Sequence, residues 1–342
     1  MGGKALQNTV TRRYQADEYY ALIPEVRDVL SNAFLRTIAA NAIPAYRTKE
    51  SFGDMDMLYS TMNDVPYTVE QLQRLFKPNE IIKNGDVISL DYKELQIDFI
   101  HTPWDRYDYA LSYFSWNDCG NLVGKLAHRM GLKHGHQGLF LPLREDNNVY
   151  SEVCVNTNHS RTLELVGLSI EQFSAGFDTL EDIFEFIAAS PYYHPDQYLL
   201  ENLNTVAKIR DRKRDTYRKF LEFGERQDRS KYAPYEHRTD KTHFMPHIFR
   251  KFPKAKPLFD QEMQAVAAKR MSRDKFNGDL VATITGLRDK ELGQFMIFLK
   301  NNCYWAEQSY VIYLSSKFIE DSIVRTFKLY SEAKNVIYDD YS

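Results

Sequence analysis

Residues 51–60 read SFGDMDMLYS, and two aspartates, Asp54 and Asp56, stand two apart in an otherwise apolar run. Met55, Met57 and Leu58 give the run strand character, and in a strand residues i and i+2 point to the same face. Two carboxylates side by side on one face repel each other and lose hydration. A fold accepts that pairing when a cation sits between the acids or when water bathes the place where they lie. LQIDFIH supplies a third acid, Asp98, between Ile97 and Phe99 in another strand-like run. If the two strands are neighbours, three carboxylates converge at one sheet edge, an oxygen-ligand set suited to two Mg²⁺ ions. Two such ions about 4 Å apart clamp the attacking and leaving oxygens of an in-line phosphoryl displacement. The third carboxylate can then take the proton of an attacking hydroxyl. Gly53, just before the pair, lets backbone come close to a phosphate or ion, and Arg47 and Lys49 upstream supply positive charge for a triphosphate.

The chain has 342 residues, room for two or three domains, and its 23 Tyr and 21 Phe argue for a substantial core. Cys119, Cys154 and Cys303 lie far apart with no CxxC spacing, which reads as free thiols in a reducing compartment. The N-terminal MGGKALQNTVTRRYQ has no apolar signal core or myristoylation pattern, and no window reaches the length of a membrane span. The expectation is a soluble, cytoplasmic protein with no membrane partner. Charge is uneven. Residues 1–200 hold 17 Lys/Arg against 27 Asp/Glu, whereas 208–256 hold 16 against 7. An acidic body with a basic segment hints at a polyanion partner, the alternative being a solvated helix face.

Apolar spacing predicts a helix within 17–40, with Pro24 breaking or starting it. Strands are expected around SFGDMDMLYS, and a hairpin around YKE in DVISLDYKELQIDFIHTP. TVEQLQRLF is a helix with a Thr N-cap, NDCGNLVGKLAHRMGL a helix capped by Asn117 or Asp118, and TLEDIFEFIA a helix capped by Thr179. From about residue 200 the patterns are almost entirely helical, broken near YAPYEHRTDKTHFMPH and KFPKAKP.

RTKESFGDMDML resembles the palm motif of family X DNA polymerases, within the polymerase-β-type nucleotidyltransferase superfamily, and LQIDFIHTP is similar to the second palm motif. The likeness continues in order. YALSYFSWND resembles the segment where a Tyr-Phe pair precedes the helix facing the incoming nucleotide. LAHRMGLKHGHQGLF resembles the thumb stretch after it, and TLEDIFEFIAASPYYHP the short helix with a Pro-containing tail near the family's C-terminus. The resemblance implies that Asp54 and Asp56 bind both metal ions and that Asp98 binds the catalytic ion and helps deprotonate a primer 3′-hydroxyl. It places Arg47 on the triphosphate, with Gly53 beside it. Tyr113 and Phe114 lie against the nucleotide's sugar, and Asn121 and Lys125 face the base pair or template. The chain departs from the family where Ile43-Pro44 stands in place of a phosphate-holding Gly-Ser. A second departure is Ser115-Trp116-Asn117, which replaces Thr-Gly-Ser.

KIRDRKRDTYRKFLEFGERQDRSKYAPYEHR interleaves cations with aromatics, as nucleic-acid contact requires, and Arg210, Arg212, Lys213, Arg214, Arg218 and Lys219 are its candidate contacts. His237, His243 and His247 are spaced too irregularly for zinc. His134 and His136 flank Gly135 in an expected loop, and CYWAEQSYVIYLSSKFIEDSIVRTF reads as an aromatic-rich helix of the core. The expected fold is α+β: a nucleotidyltransferase palm with a mixed sheet (1–110), a small α+β thumb-like region (111–200) and a helical C-terminal domain (201–342), basic near 208–256. The expected activity is Mg²⁺-dependent addition of nucleotides to a nucleic-acid 3′ end, with Mn²⁺ as a substitute ion, and with primer–template DNA and a nucleoside triphosphate as partners. The alternatives are a template-independent transferase acting on tRNA or other RNA, and a catalytically inactive nucleic-acid-binding palm.

Overall fold

Strand alternation organises the first part of the chain around a five-stranded mixed sheet. The computed structural model describes residues 5–32, 37–145, 148–232, 234–236 and 240–339; His237 lies outside them. Strand β1 (Tyr14–Gln15) leads into helix α1 (Ala16–Asn32), followed by β2 (Thr37–Ala42), β3 (Ser51–Phe52) and β4 (Asp54–Thr61). Then come α2 (Val69–Phe76), β5 (Ile81–Asn84), β6 (Val87–Tyr92) and β7 (Leu95–His101). The sheet order is β2-β4-β7-β6-β5, with β4 and β7 parallel and the other neighbours antiparallel. Met55, Met57, Tyr59, Ile97 and Phe99 share one core with Leu22, Val26 and Leu30 of α1 and Leu72 and Phe76 of α2. On the opposite face Leu58 and Ile100 meet Tyr107 and Ala110 of α3 (Tyr107–Phe114).

Local chemistry explains these elements. Thr68 and Gln71 close a reciprocal capping box that starts α2. Lys93 and Glu94 both take left-handed φ, 51° and 65°, and form the two-residue turn of the β6–β7 hairpin. Pro24 does not break or start α1; the helix runs through it. Pro24 lies on the exposed face, so the carbonyl it leaves unpaired can turn to water, while Tyr19, Leu22, Val26 and Leu30 hold the buried face.

Helix α4 (Cys119–Arg129) is followed by β8 (Lys133–Gly135), β9 (Gly138–Glu145) and β10 (Asn148–Asn156), an antiparallel sheet in the order β8-β9-β10. His134 and Gly135 therefore form a strand rather than a loop. The turn falls at His136-Gln137, because His134 pairs with Leu139 and Gly135 with Gly138. Helices α5 (His159–Leu165), α6 (Ile170–Ala175), α7 (Leu180–Ala188), α8 (Thr205–Asp211), α9 (Asp215–Glu225) and α10 (Met245–Lys251) complete this part. Thr179 caps α7 through a capping box with Asp182.

The compact units are Met1–Lys256 and Pro257–Ser342, so the basic stretch 208–256 belongs to the first unit and not to a separate domain starting near 200. Aromatic packing holds it there: Phe220 of α9 lies 5.1 Å from Phe184 of α7, and the Tyr217 hydroxyl donates to the Tyr198 carbonyl at 2.6 Å. Helices α11 (Ala255–Lys275), α12 (Gly278–Thr285), α13 (Asp289–Asn302), α14 (Gln308–Val311) and α15 (Ser316–Asp339) follow, the division falling in the first turn of α11. Phe276, Val281, Phe295, Leu299, Trp305 and Ile319 form the core of the second unit. The stretch 303–327 is not one helix. The Ser315 hydroxyl accepts the Phe318 N–H at the start of α15, and Tyr304 and Tyr313 are exposed at 73% and 83%, so its aromatics are not all core. The whole chain is α+β with a mixed sheet and a helical C-terminal region. Among the described residues no helix is long and apolar enough to cross a membrane.

Candidate metal centre

The parallel β4–β7 pair brings the three aspartates together. Its register sets Asp56 beside Asp98 and Asp54 beside Gln96. Alternation sends Met55 and Met57 into the core and Asp54 and Asp56 to the other face, where α3 covers the sheet only further along, at Leu58. Strand β2 ends at Ala42, paired with Met57, and the last bond on that flank joins the Ile43 N–H to the Asp56 carbonyl at 2.9 Å. The acids thus lie on a face of the central strands, beside the place where β2 has left β4, and not on an outer strand. One carboxylate oxygen from each of Asp54, Asp56 and Asp98 lies within 4.8 Å of the others.

At Asp56 burial and repulsion between the acids outweigh the nearby positive charge. Burial, then the charges of Asp54 and Asp98, push the Asp56 carboxyl up to about 7. Burial also raises Asp98, opposed by hydrogen bonds from Ser89 and Gln96. Gln96 holds Asp98 in place: its Nε2 donates to Asp98 Oδ1 at 2.8 Å, while its Oε1 accepts the Ala5 N–H at 2.9 Å. Ser89 faces Asp98 across the β6–β7 ladder. Neither residue was singled out from sequence, although Gln96 at i−2 shares the Asp98 face by strand periodicity. Lys49 is the nearby cation of the chain. Burial holds its ammonium below the usual lysine value although Asp54 and Asp56 pull it upward, and its Nζ lies 4.3 Å from the Phe52 ring centre. Three hard oxygen donors gathered in a half-buried place, with an acid pushed toward neutrality, fit a divalent cation, which would supply the missing positive charge. Among the described residues this is the one cluster of His, Cys, Asp or Glu with metal-ligand proximity, and His243 and His247 take no part in such a cluster.

The other expected site residues are more dispersed. Gly53 links β3 to β4 directly before Asp54. Arg47 Nη1 pairs with Asp178 Oδ1 at 2.5 Å and its Nη2 donates to the Ala175 carbonyl, so its guanidinium is engaged by the α6–α7 connection. Tyr113 and Phe114 end α3, Tyr113 against His134 at 4.9 Å and Phe114 stacked on His136 at 5.5 Å. Trp116 and Asn117 follow with left-handed φ of 62° and 59°, an unusual conformation for Trp, and the Trp116 N–H donates to the Pro44 carbonyl at 2.8 Å.

A buried acid that sequence inspection overlooked, Asp211, collects the next group. Lys125 Nζ donates to it at 2.7 Å, Arg210 Nε at 2.7 Å and Asn121 Nδ2 at 3.3 Å. Burial would raise Asp211, but the bonds from Arg210 and Lys125 outweigh it and hold its carboxyl low. Arg214 pairs with Asp118, the N-cap of α4, whose side chain makes no capping bond. Arg218 and Lys219 share Asp215. Of the six expected nucleic-acid contacts, Arg212 and Lys213 are exposed and form no ion pair among the described residues. Comparison of the sequence with protein-family models gives no match, and comparison with curated proteins gives none.

Proposed function

We propose that the protein is a Mg²⁺-dependent nucleotidyltransferase that adds nucleotides to a nucleic-acid 3′ end, as the resemblance to family X DNA polymerases implies. The supporting observation is the convergence of Asp54, Asp56 and Asp98 within 4.8 Å on adjacent parallel strands. Bound divalent cations would polarise the attacking hydroxyl and neutralise the leaving pyrophosphate. Asp54 and Asp56 would hold both ions. Asp98, steadied by Gln96 and Ser89, would hold the catalytic ion and take the 3′-hydroxyl proton as oxygen attacks the α-phosphorus and pyrophosphate departs.

A specific observation favours a second reading, a nucleic-acid-binding palm without catalysis: Arg47, the expected triphosphate contact, is tied to Asp178. Incubation with Mg²⁺, nucleoside and deoxynucleoside triphosphates, and a labelled primer–template or lone strand separates the two. Extension that is abolished in Asp56→Ala and in EDTA is expected. Absence of extension on every strand, RNA included, alongside intact strand binding, would reject catalysis.

A further inference from the structure

A second feature of the first unit carries charge of the opposite sign. A cavity of ≈ 1020 Å³ is lined by Tyr113, Asn121, Lys125 and Arg210, residues already expected to face nucleotide or nucleic acid. Four more cations line it: Arg129, Lys133, Arg144 and Lys241, against the carboxylates of Glu152 and Glu236. Some of that charge is internally balanced. Lys133 pairs with Glu152 at 2.7 Å, and Lys125 and Arg210 pair with Asp211.

Three cations are not balanced by carboxylates among the described residues. Arg129 donates to the Tyr192 carbonyl at 3.0 Å and to Gln197 Oε1 at 3.3 Å. Lys241 donates to the His128 carbonyl at 2.6 Å. Arg144, on β9, is exposed and forms no ion pair among the described residues. Burial and then the neighbouring Arg144 charge hold the Lys241 ammonium down to about 8, so these two cations lie close enough to repel each other. These cations come from separate parts of the chain, and Tyr113, Tyr235 and Phe244 line the same cavity. Several cations and several aromatic side chains lining one large cavity match a strand that offers phosphates and stackable bases, rather than one compact anion.

We infer that this cavity binds the sugar–phosphate backbone of a single nucleic-acid strand, with Arg129, Arg144 and Lys241 as phosphate contacts. The choice of nucleic acid as the polyanion rests on the nucleotidyltransferase reading. The test is fluorescence anisotropy with a labelled oligodeoxythymidine in EDTA over a salt series, for the full chain, Arg144→Ala and Arg144→Ala/Lys241→Gln. Each lost contact is expected to weaken binding several-fold at low salt and to flatten the log–log salt slope by about 0.7, and Arg144→Lys is expected to restore most of the affinity. Because Arg144 is exposed and forms no ion pair among the described residues, its replacement leaves the fold intact, and an unchanged urea midpoint checks this.

Unchanged affinity and slope in both variants would overturn the inference. So would displacement of the strand by inorganic phosphate or a free nucleoside triphosphate at equal phosphate concentration. Mg²⁺-dependent extension that persists beside such a result leaves the catalytic reading standing and removes only the cavity assignment. Variant-sensitive strand binding by a protein that extends nothing does the reverse.

Discussion

Replacing Asp56 by Asn removes one charge from the aspartate cluster while keeping the side chain's shape, so it isolates the repulsion that a cation would relieve. The folded-state carboxyl is pushed up to about 7, against about 3.9 for an unfolded chain, a difference worth roughly 4 kcal/mol. Asp56 is partly open to water, and screening reduces this to about 2 kcal/mol. Between those two values the folded protein holds more protons than the unfolded one. Metal-free stability therefore falls as pH rises from about 4 to about 7, and the loss persists above that. Asn carries no such penalty. In EDTA near pH 8, Asp56→Asn is expected to raise the unfolding midpoint of the first unit by about 4–8 °C. Near pH 3, below both values, where Asp56 is protonated in the folded and the unfolded protein alike, the two proteins should unfold together.

Excess Mg²⁺ should reverse the order, because only the intact cluster binds the ion well and binding stabilises by RT ln(1 + [L]/Kd). Circular dichroism melts of both proteins, at both pH values and with EDTA or Mg²⁺, supply the comparison. A variant less stable than the parent in EDTA at high pH would refute the electrostatic argument. Equal stabilisation of both proteins by Mg²⁺ would place the ion elsewhere.

Two other substitutions probe the surroundings of the candidate site. Asp211 is 0% exposed and receives Lys125 and Arg210, so Asp211→Ala should cost about 3–5 kcal/mol by stranding a lysine that is itself largely buried. A urea midpoint shifted by less than the equivalent of about 1 kcal/mol would show the network to be dispensable. Gly176 has φ +79°, and a Cβ there would lie 2.5 Å from the Trp116 ring and 3.1 Å from Arg47 Nη2. Gly176→Ala should therefore lower stability by roughly 2–4 kcal/mol through strain and overpacking. It should also shift tryptophan fluorescence, whereas an unchanged melt and spectrum would mean that the α6–α7 connection yields easily.

What was legible in the sequence was local. Period-2 alternation put Asp54 and Asp56 on one face, the Thr68 and Thr179 caps started their helices, and YKE marked the hairpin turn. The meeting of Asp56 with Asp98 needed more. It depends on a parallel pairing across α2 and the β5–β6 hairpin, and the sequence could offer that only as a condition. The persistence of α1 through Pro24 was hidden because the deciding fact is which face the proline takes. The left-handed Trp116 was hidden too, since nothing in a tryptophan announces positive φ.

Charge shows most clearly where reading from composition stops. The excess of Lys and Arg in 208–256 suggested a polyanion surface, yet Arg210, Arg214, Arg218 and Lys219 each hold a carboxylate, in three cases one supplied by the same segment. Arg47 likewise ends on Asp178, far away in sequence. A tally counts charges, but folding pairs them, and a paired charge has already lost most of its pull on a ligand. The informative residues are those that folding places against like charge at a cost. At Asp56 burial and the neighbouring acids outweigh the pull of Lys49, and Lys241 is held down by burial and by Arg144. On the proposed reading each arrangement is relieved by a partner of opposite sign, a divalent cation at the first and a phosphate chain at the second. A nucleotidyltransferase needs both partners, and no rearrangement of the surface pairs could supply either.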